Sequence, residues 1–386
     1  MRFEFATASR IIFGPGTVSE AAALSAAMGK RACVVTGRTT ERAEPLLEQL
    51  GAHGVECVTF NVAAEPTTTL AREAVEFARR SRCDLVLSIG GGSALDTGKV
   101  VAAMLTNTGE MEYYLEVIGA GKPLVSNSAP HIAIPTTAGT GAEVTRNAVL
   151  SVPEYKVKVS MRSPLMPPRL AIVDPELTHS MPPSVTASTG LDALTQLIEV
   201  YVSNQANPLT DGICREGLIR AGRSLHRAYE DGGDTAARED MALASLFGGL
   251  GLANAKLGAV HGFAGPLGGM FAAPHGVICA RLLPFVMETN VRALLDWQSD
   301  SPAIARFDQV AQFLTGKATA KACDGVEWIR DLCSKMSVPS LTQFGLTEAH
   351  LPAAVEKAQR ASSMKGNPIE LTAAELLDIL RKAAQL

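Results

Sequence analysis

The chain has 386 residues, 47% of them hydrophobic and 19% charged, and its 35 basic and 39 acidic side chains leave a net charge of −4. That length suits two hydrophobic cores, and the composition excludes a disordered chain. The charge gives no electrostatic ground for a nucleic-acid or acidic-membrane partner.

The opening stretch, MRFEFATASRIIFGPG, lacks the basic start and continuous apolar core of a signal peptide, and no apolar run is long enough to span a membrane. The expectation is a soluble, cytoplasmic protein. Seven cysteines, an odd number without a CxxC pair, read as small buried hydrophobes of a reducing compartment.

Strand-like RACVVTG (31–37) is followed by helix-like TTERAEPLLEQLGAHG, strand-like VECVTFNV, helix-like TTTLAREAVEFARRS and strand-like CDLVLSIGGG. Short β-branched runs alternating with amphipathic helices predict βαβ units and a parallel sheet. HIAIPTT (131–137) and RLAIVDP (169–175) extend the pattern until a proline-rich stretch ends it near Ser184. Beyond it the chain reads as successive helices, at 187–203, 208–230, 235–255, 276–289 and 302–315, with several more to the C-terminus. The predicted organisation is an α/β nucleotide-binding domain over 1–185 and an all-α domain over 186–386. The charged residues of 227–240 read as a solvated face.

The first candidate for chemistry is LSIGGGSALDTGKVVAAM (87–104), where an apolar strand runs through three glycines into a helix. Glycines at such a turn permit positive φ and close backbone approach, and the helix start offers free N–H groups to a phosphate. The motif is neither GxxxxGK[ST] nor GxGxxG, and a tight turn without a ligand is the competing reading. AIPTTAGTGAEVTRNAV (133–149) adds hydroxyls and backbone donors.

These two motifs, with VDPELTHSMPPS and GAVHGFAGPLGGMFAAPHGV (258–277), together resemble the iron-containing (group III) alcohol dehydrogenase family, related in fold to glycerol dehydrogenase and dehydroquinate synthase. The resemblance implies NAD(P)-dependent interconversion of a small alcohol and its carbonyl compound in a cleft between a dehydroquinate-synthase-like α/β domain and a helical one. It puts Gly91, Gly92, Ser93 and Asp96 at the cofactor phosphates, Thr136, Thr137 and Thr140 beside pyrophosphate and ribose, and Lys158 near the nicotinamide ribose. Many NAD-dependent members end the first strand of this pattern with an aspartate, where this chain has Gly37 followed by Arg38 and Thr39. Glycine makes room for a 2′-phosphate, Arg38 can pair with it and Thr39 can donate to it, which predicts NADP(H) over NAD(H). The competing reading of Arg38 is a solvated loop charge.

The resemblance further implies a divalent metal, iron or zinc, held by one aspartate and three histidines. The matching positions are Asp192, Gln196, His261 and His275, so glutamine replaces one imidazole, and Gly265 stands where a second histidine often follows. Asp192 and Gln196, one helical turn apart, share a face. Gln196 could ligate weakly, could hydrogen-bond water or substrate beside a three-ligand metal, or could mark a lost metal, as in the maleylacetate reductase branch. Asp192, His261 and His275 are the expected catalytic group, and water is expected to supply the proton that Gly265 cannot. His53, His131, His179, His226 and His350 match no motif and read as surface or satisfied core residues. The leading expectation is an aldehyde or ketone reductase working as a homodimer on a small-molecule substrate. A metal-independent maleylacetate-type reductase, a dehydroquinate-synthase-like lyase and a non-catalytic nucleotide-binding protein are the alternatives.

Overall fold

The computed structural model describes residues 2–385, and they form two compact units. The first runs from Ala6 to His179, and the second comprises residues 2–5 and 180–385. The expected boundary lay at 185. Arg238 ties this proline-rich lead-in to the helices, donating to the Met181 carbonyl at 3.4 Å and to Thr186 Oγ1 at 2.9 Å.

The first unit contains β1 (Arg10–Phe13), β2 (Arg31–Thr36), β3 (Glu56–Asn61), β4 (Leu85–Gly90), β5 (His131–Pro135), β6 (Asn147–Val152), β7 (Val157–Arg162) and β8 (Leu170–Val173). Its helices are α1 (Ala21–Ala26), α2 (Glu44–Ala52), α3 (Thr68–Arg80) and α4 (Gly92–Thr106). A six-stranded parallel sheet has the order β1-β8-β5-β4-β2-β3. Because successive strand residues point to opposite faces, Ala32 and Val34 pack with α1 and α2 while Cys33 and Val35 pack with α3 and α4. A sheet buried on both faces explains the nearly continuous apolar strands.

The sheet order also marks a candidate binding edge. From β2 the chain moves outward to β3, then crosses to β4 on the other side, so the strand order reverses between β2 and β4. In open parallel sheets ligands settle outside the C-terminal ends of the strands at such a reversal. Here those ends are Thr36-Gly37 and Gly90-Gly91, joined where the Gly37 N–H donates to the Ile89 carbonyl at 3.2 Å.

Three strands had no expectation in the sequence. β1 is a four-residue edge strand, and β6 and β7 form a separate antiparallel hairpin. Its turn, Pro153–Tyr155, closes at Lys156 with φ of 50°.

The second unit is helical, with α5 (Pro183–Val202), α6 (Pro208–Glu230), α7 (Thr235–Asn254), α8 (Ala259–Met270), α9 (His275–Trp297), α10 (Pro302–Thr315), α11 (Ala322–Lys335), α12 (Leu351–Arg360) and α13 (Ala373–Ala384). α6 and α10 match their expected ranges, and start signals explain why. Asn207 Oδ1 accepts from the N–H groups of Leu209 and Thr210 just before Pro208, a cap worth ~1 kcal/mol. α9 continues to Trp297, past the expected 289.

α8 departs most from propensity. Its AVHGFAGPLGGM carries four glycines and an internal proline, yet Ala259–Ala264 and Leu267 are buried. Burial of an apolar face outweighs a propensity cost of about 1 kcal/mol per glycine. Among the described residues no single helix is long and apolar enough to cross a membrane; α7 and α8 together meet both conditions only with a 95° bend between them.

The charged stretch 227–240 is not wholly a solvated face. Asp240 is buried and bonds Arg220, Arg223 and the Ser224 hydroxyl. Arg238 is 1% exposed. Both satisfy their charge or donors inside the helical packing, which is what makes such burial tolerable.

Candidate metal centre and nucleotide loop

In the helical unit, α5 carries Asp192, Gln196 and Glu199 on successive turns, all buried. α8 supplies His261 from its first turn and α9 supplies His275 at its first residue. Asp192 Oδ1 lies 3.3 Å from His261 Nε2 and 3.7 Å from His275 Nε2. The expected aspartate and two histidines therefore converge.

A close backbone approach makes this possible. A Cβ built on Gly276 would stand 2.0 Å from the Ser188 carbonyl oxygen on α5. The glycine of Pro274-His275-Gly276 thus lets the start of α9 sit directly on α5, bringing His275 to Asp192.

Two further residues join the site. Glu199 accepts from His261 Nδ1 at 2.6 Å and from the Val260 N–H at 2.7 Å. One carboxylate thereby caps α8 and fixes the imidazole so that Nε2 faces Asp192. Cys279, one turn after His275, places Sγ 3.8 Å from His261 Nε2 and 3.7 Å from His275 Nε2. The ligand atoms of Asp192, His261, His275 and Cys279 all lie within 4.8 Å of one another. Sequence reading missed both residues. The signals were Glu199 two turns beyond Asp192 and the His275-x-x-x-Cys279 spacing.

Gln196 is placed differently from a simple ligand. Its Nε2 donates to Asp192 Oδ2 at 3.3 Å, and its Oε1 lies beside Gly248, where an added Cβ would come within 3.0 Å. Asp192 Oδ1 and Gln196 Oε1 are buried without a hydrogen-bond partner. An orphaned carboxylate oxygen between two imidazoles fits a divalent cation, since leaving it bare in the core costs free energy.

The protonation balance agrees. Burial alone would raise the Asp192 pKa, but His275 and His261 reverse this and hold it below the ordinary carboxylate value. Burial opposes a charge on His261, yet the acidic groups Cys279, Glu199 and Asp192 around it hold its pKa well above 6.5. Burial pushes the Cys279 thiol up to about 12. The cluster attracts positive charge, which a proton supplies when no metal does.

In the α/β unit, α4 begins at Gly91 with no side-chain cap. The N–H groups of Ala94 and Leu95 turn back to the Gly91 carbonyl, while the first turn presents Gly92 and Ser93 at the positive end of a 15-residue helix. The glycines are not there for positive φ, because none of Gly90, Gly91 and Gly92 has it. Their role is close approach. A Cβ on Gly90 would meet Ala94 Cβ at 2.7 Å, and one on Gly92 would meet Thr140 Oγ1 at 3.0 Å.

The loop after β5 is thereby held against α4. The Thr136 N–H donates to the Gly90 carbonyl at 2.9 Å, Thr137 packs beside Gly91 and Thr140 beside Gly92. Gly37, Arg38 and Thr39 follow β2 at the same edge, with Arg38 Nε bonded to the Ala63 carbonyl at 3.1 Å and Asn61 donating to the Gly37 carbonyl.

Two expected cofactor residues have other partners. Asp96 pairs with buried Lys99 at 2.8 Å and accepts from the Val149 N–H at 2.9 Å, tying α4 to the hairpin. Lys158, on β7, pairs with Glu65. His131 is a core residue, but only one ring nitrogen is paired: its Nε2 is 2.6 Å from Ser88 Oγ, its buried Nδ1 has no hydrogen-bond partner, and burial, then the Lys99 charge, pushes its pKa down to about 3.

Comparison with known proteins decides the family. Residues 8–175 match the iron-containing alcohol dehydrogenase model, and residues 186–384 match the C-terminal model of the Fe-containing alcohol dehydrogenase family. The chain belongs to the iron-containing alcohol dehydrogenase family. It is 36% identical over 332 residues to a choline dehydrogenase of Bacillus subtilis (strain 168), covering 85% of this chain and 81% of that one. A crystal structure of 1,3-propanediol oxidoreductase superposes with a TM-score of 0.91 at 32% identity, over 99% of this chain and 100% of that one. Sulfoacetaldehyde reductase from Bifidobacterium kashiwanohense, solved in complex with NAD+, gives 0.88 at 29% identity over 100% and 99%. This member of the family is an oxidoreductase acting on CH–OH groups, and the membership implies a nicotinamide cofactor and a divalent metal.

Proposed function

We propose that this dehydrogenase works as a metal-assisted aldehyde or ketone reductase on a small polar substrate, with NADPH preferred over NADH. The observation that carries the reading is the orphaned Asp192 Oδ1 between His261 and His275. When bound, a divalent ion polarises a carbonyl as a Lewis acid and the reduced nicotinamide supplies a hydride.

The chain's own residues do the rest. Asp192, His261 and His275 would hold the ion, and Glu199 keeps His261 in the tautomer that presents Nε2. Gly92 and Ser93 would bind the pyrophosphate with main-chain N–H groups, flanked by Gly91, Thr136, Thr137 and Thr140. Asp96 would act from behind, fixing α4 through Lys99 and Val149, and Lys158 would approach the nicotinamide ribose by leaving Glu65. The NADPH preference rests on Thr36-Gly37-Arg38-Thr39-Thr40, a stretch without the acidic side chain that the resemblance would put beside an NAD ribose.

The named relatives act on a cation, a neutral diol and an anion, so substrate charge follows from pocket detail and not from family. No side chain replaces the missing histidine at Gly265, where an added Cβ meets nothing within 4 Å, consistent with water as proton donor. A panel of aldehydes, ketones and oxoacids under both cofactors, with elemental analysis of protein purified without chelator, tests the proposal. Expected are metal near one ion per chain and a kcat/KM with NADPH at least ~10-fold above that with NADH, a gap of about 1.4 kcal/mol. Full activity in metal-free protein would overturn the metal assignment.

A further inference from the structure

We propose that Cys279 is a metal ligand of this protein, completing an Asp192/His261/His275/Cys279 set, and that Gln196 positions Asp192 instead of ligating. The inference rests on the metal reading above and goes beyond it in naming a sulfur donor.

Distances come first. With bonds of ~2.0–2.1 Å to nitrogen or oxygen and ~2.3 Å to sulfur, the donors of a tetrahedral zinc ion stand roughly 3.3–3.6 Å apart. The measured edges are 3.3 and 3.7 Å from Asp192 Oδ1 to the two imidazoles, and 3.8 and 3.7 Å from Cys279 Sγ to the same nitrogens. The donors already stand close to a coordination polyhedron.

Hydrogen bonding separates Cys279 from an ordinary core thiol. Buried Cys333 directs Sγ at the Ala280 carbonyl, 3.5 Å away. Cys279, completely buried, faces two imidazole nitrogens, and one thiol proton cannot serve both. Asp192 Oδ1 in the same cluster is buried, stands 3.3 and 3.7 Å from the same imidazoles and makes no hydrogen bond.

Thiolate ligation also balances chemically. On ligation the S–H bond is replaced by a metal–sulfur bond and the proton leaves to solvent. A sulfur donor also shifts preference toward zinc.

Gln196 then has a clear place. Its amide N–H on Asp192 Oδ2 leaves Oδ1 to face the imidazoles.

The test is cobalt(II) titration of the metal-free full chain, followed by near-ultraviolet absorption for a thiolate-to-cobalt charge-transfer band and by zinc affinity against a competing chelator. Expected are one cobalt per chain with the band, its loss in Cys279→Ser with zinc binding weakened at least ~10-fold, and its retention in Gln196→Ala and in Cys214→Ala. If Cys279→Ser does not fold, X-ray absorption of the wild-type zinc protein reads sulfur directly among the bound atoms. One bound ion without sulfur, or an unchanged affinity in Cys279→Ser, overturns the Cys279 assignment and leaves the metal reading standing. No bound ion at all overturns both.

Discussion

The two units present candidate binding groups of opposite kinds. In the α/β unit the candidate binding groups are mainly backbone: an uncapped helix start, with glycines that remove side chains so that loops can close on one another. In the helical unit they are side chains on three helices, buried except for the half-buried His275, and Glu199 holds His261 in place. A backbone site is sensitive to added volume, whereas a side-chain site is sensitive to lost charge. The same conservative substitution therefore has different consequences in the two units.

The sharpest way to break the contrast is Asp192→Ala. It should abolish metal retention and cut kcat/KM about 1,000-fold, near 4 kcal/mol, while cofactor affinity, read by fluorescence titration with NADPH, stays within a factor of two or so. Loss of cofactor binding would mean that the two sites are not independent.

Glu199→Gln keeps the shape and removes the charge that orients His261. Metal affinity should fall ~10–100-fold, read by chelator competition. An unchanged affinity would reduce Glu199 to a cap of α8.

Gly92→Ala is the converse, adding one methyl and no charge. With only 3.0 Å to Thr140 Oγ1, the threonine loop must shift, and the KM for cofactor should rise about tenfold at unchanged metal content. Partial recovery in Gly92→Ala/Thr140→Ala would identify the contact as the cause.

Arg38→Ala gives the smallest effect, a several-fold loss of kcat/KM with NADPH and none with NADH. Equal losses would make Arg38 a structural strap to the Ala63 carbonyl.

Much of this is legible in the order of residues along the chain. Five strands of the sheet and the glycine loop at the end of β4 are readable because each is carried by local pattern, β-branched runs and glycine clusters, whereas Asp192, His261 and His275 are legible as a set only through the family resemblance of the segments that carry them. β1 escapes notice because four residues on a sheet edge give too little pattern. The hairpin β6–β7 escapes notice as well, with three of six residues buried in β6 and two of six in β7. α8 looks like a loop because its glycines and proline argue against a helix, and local propensity cannot register the burial that overrules them.

What the sequence determined by itself was the order of elements and the chemical types available: a parallel sheet, a helical unit, an aspartate, two histidines and a glutamine in place of an imidazole. Tertiary structure alone decided the partners. Glu199 meets His261 across 62 positions and Asp96 meets Val149 across 53, and neither pairing leaves a periodic trace along the chain. The position of Cys279 was likewise set by the approach of α9 to α5 at Gly276. Coordination and hydrogen bonding depend on distances of a few ångströms between atoms remote in sequence, and only the packing of whole helices sets those.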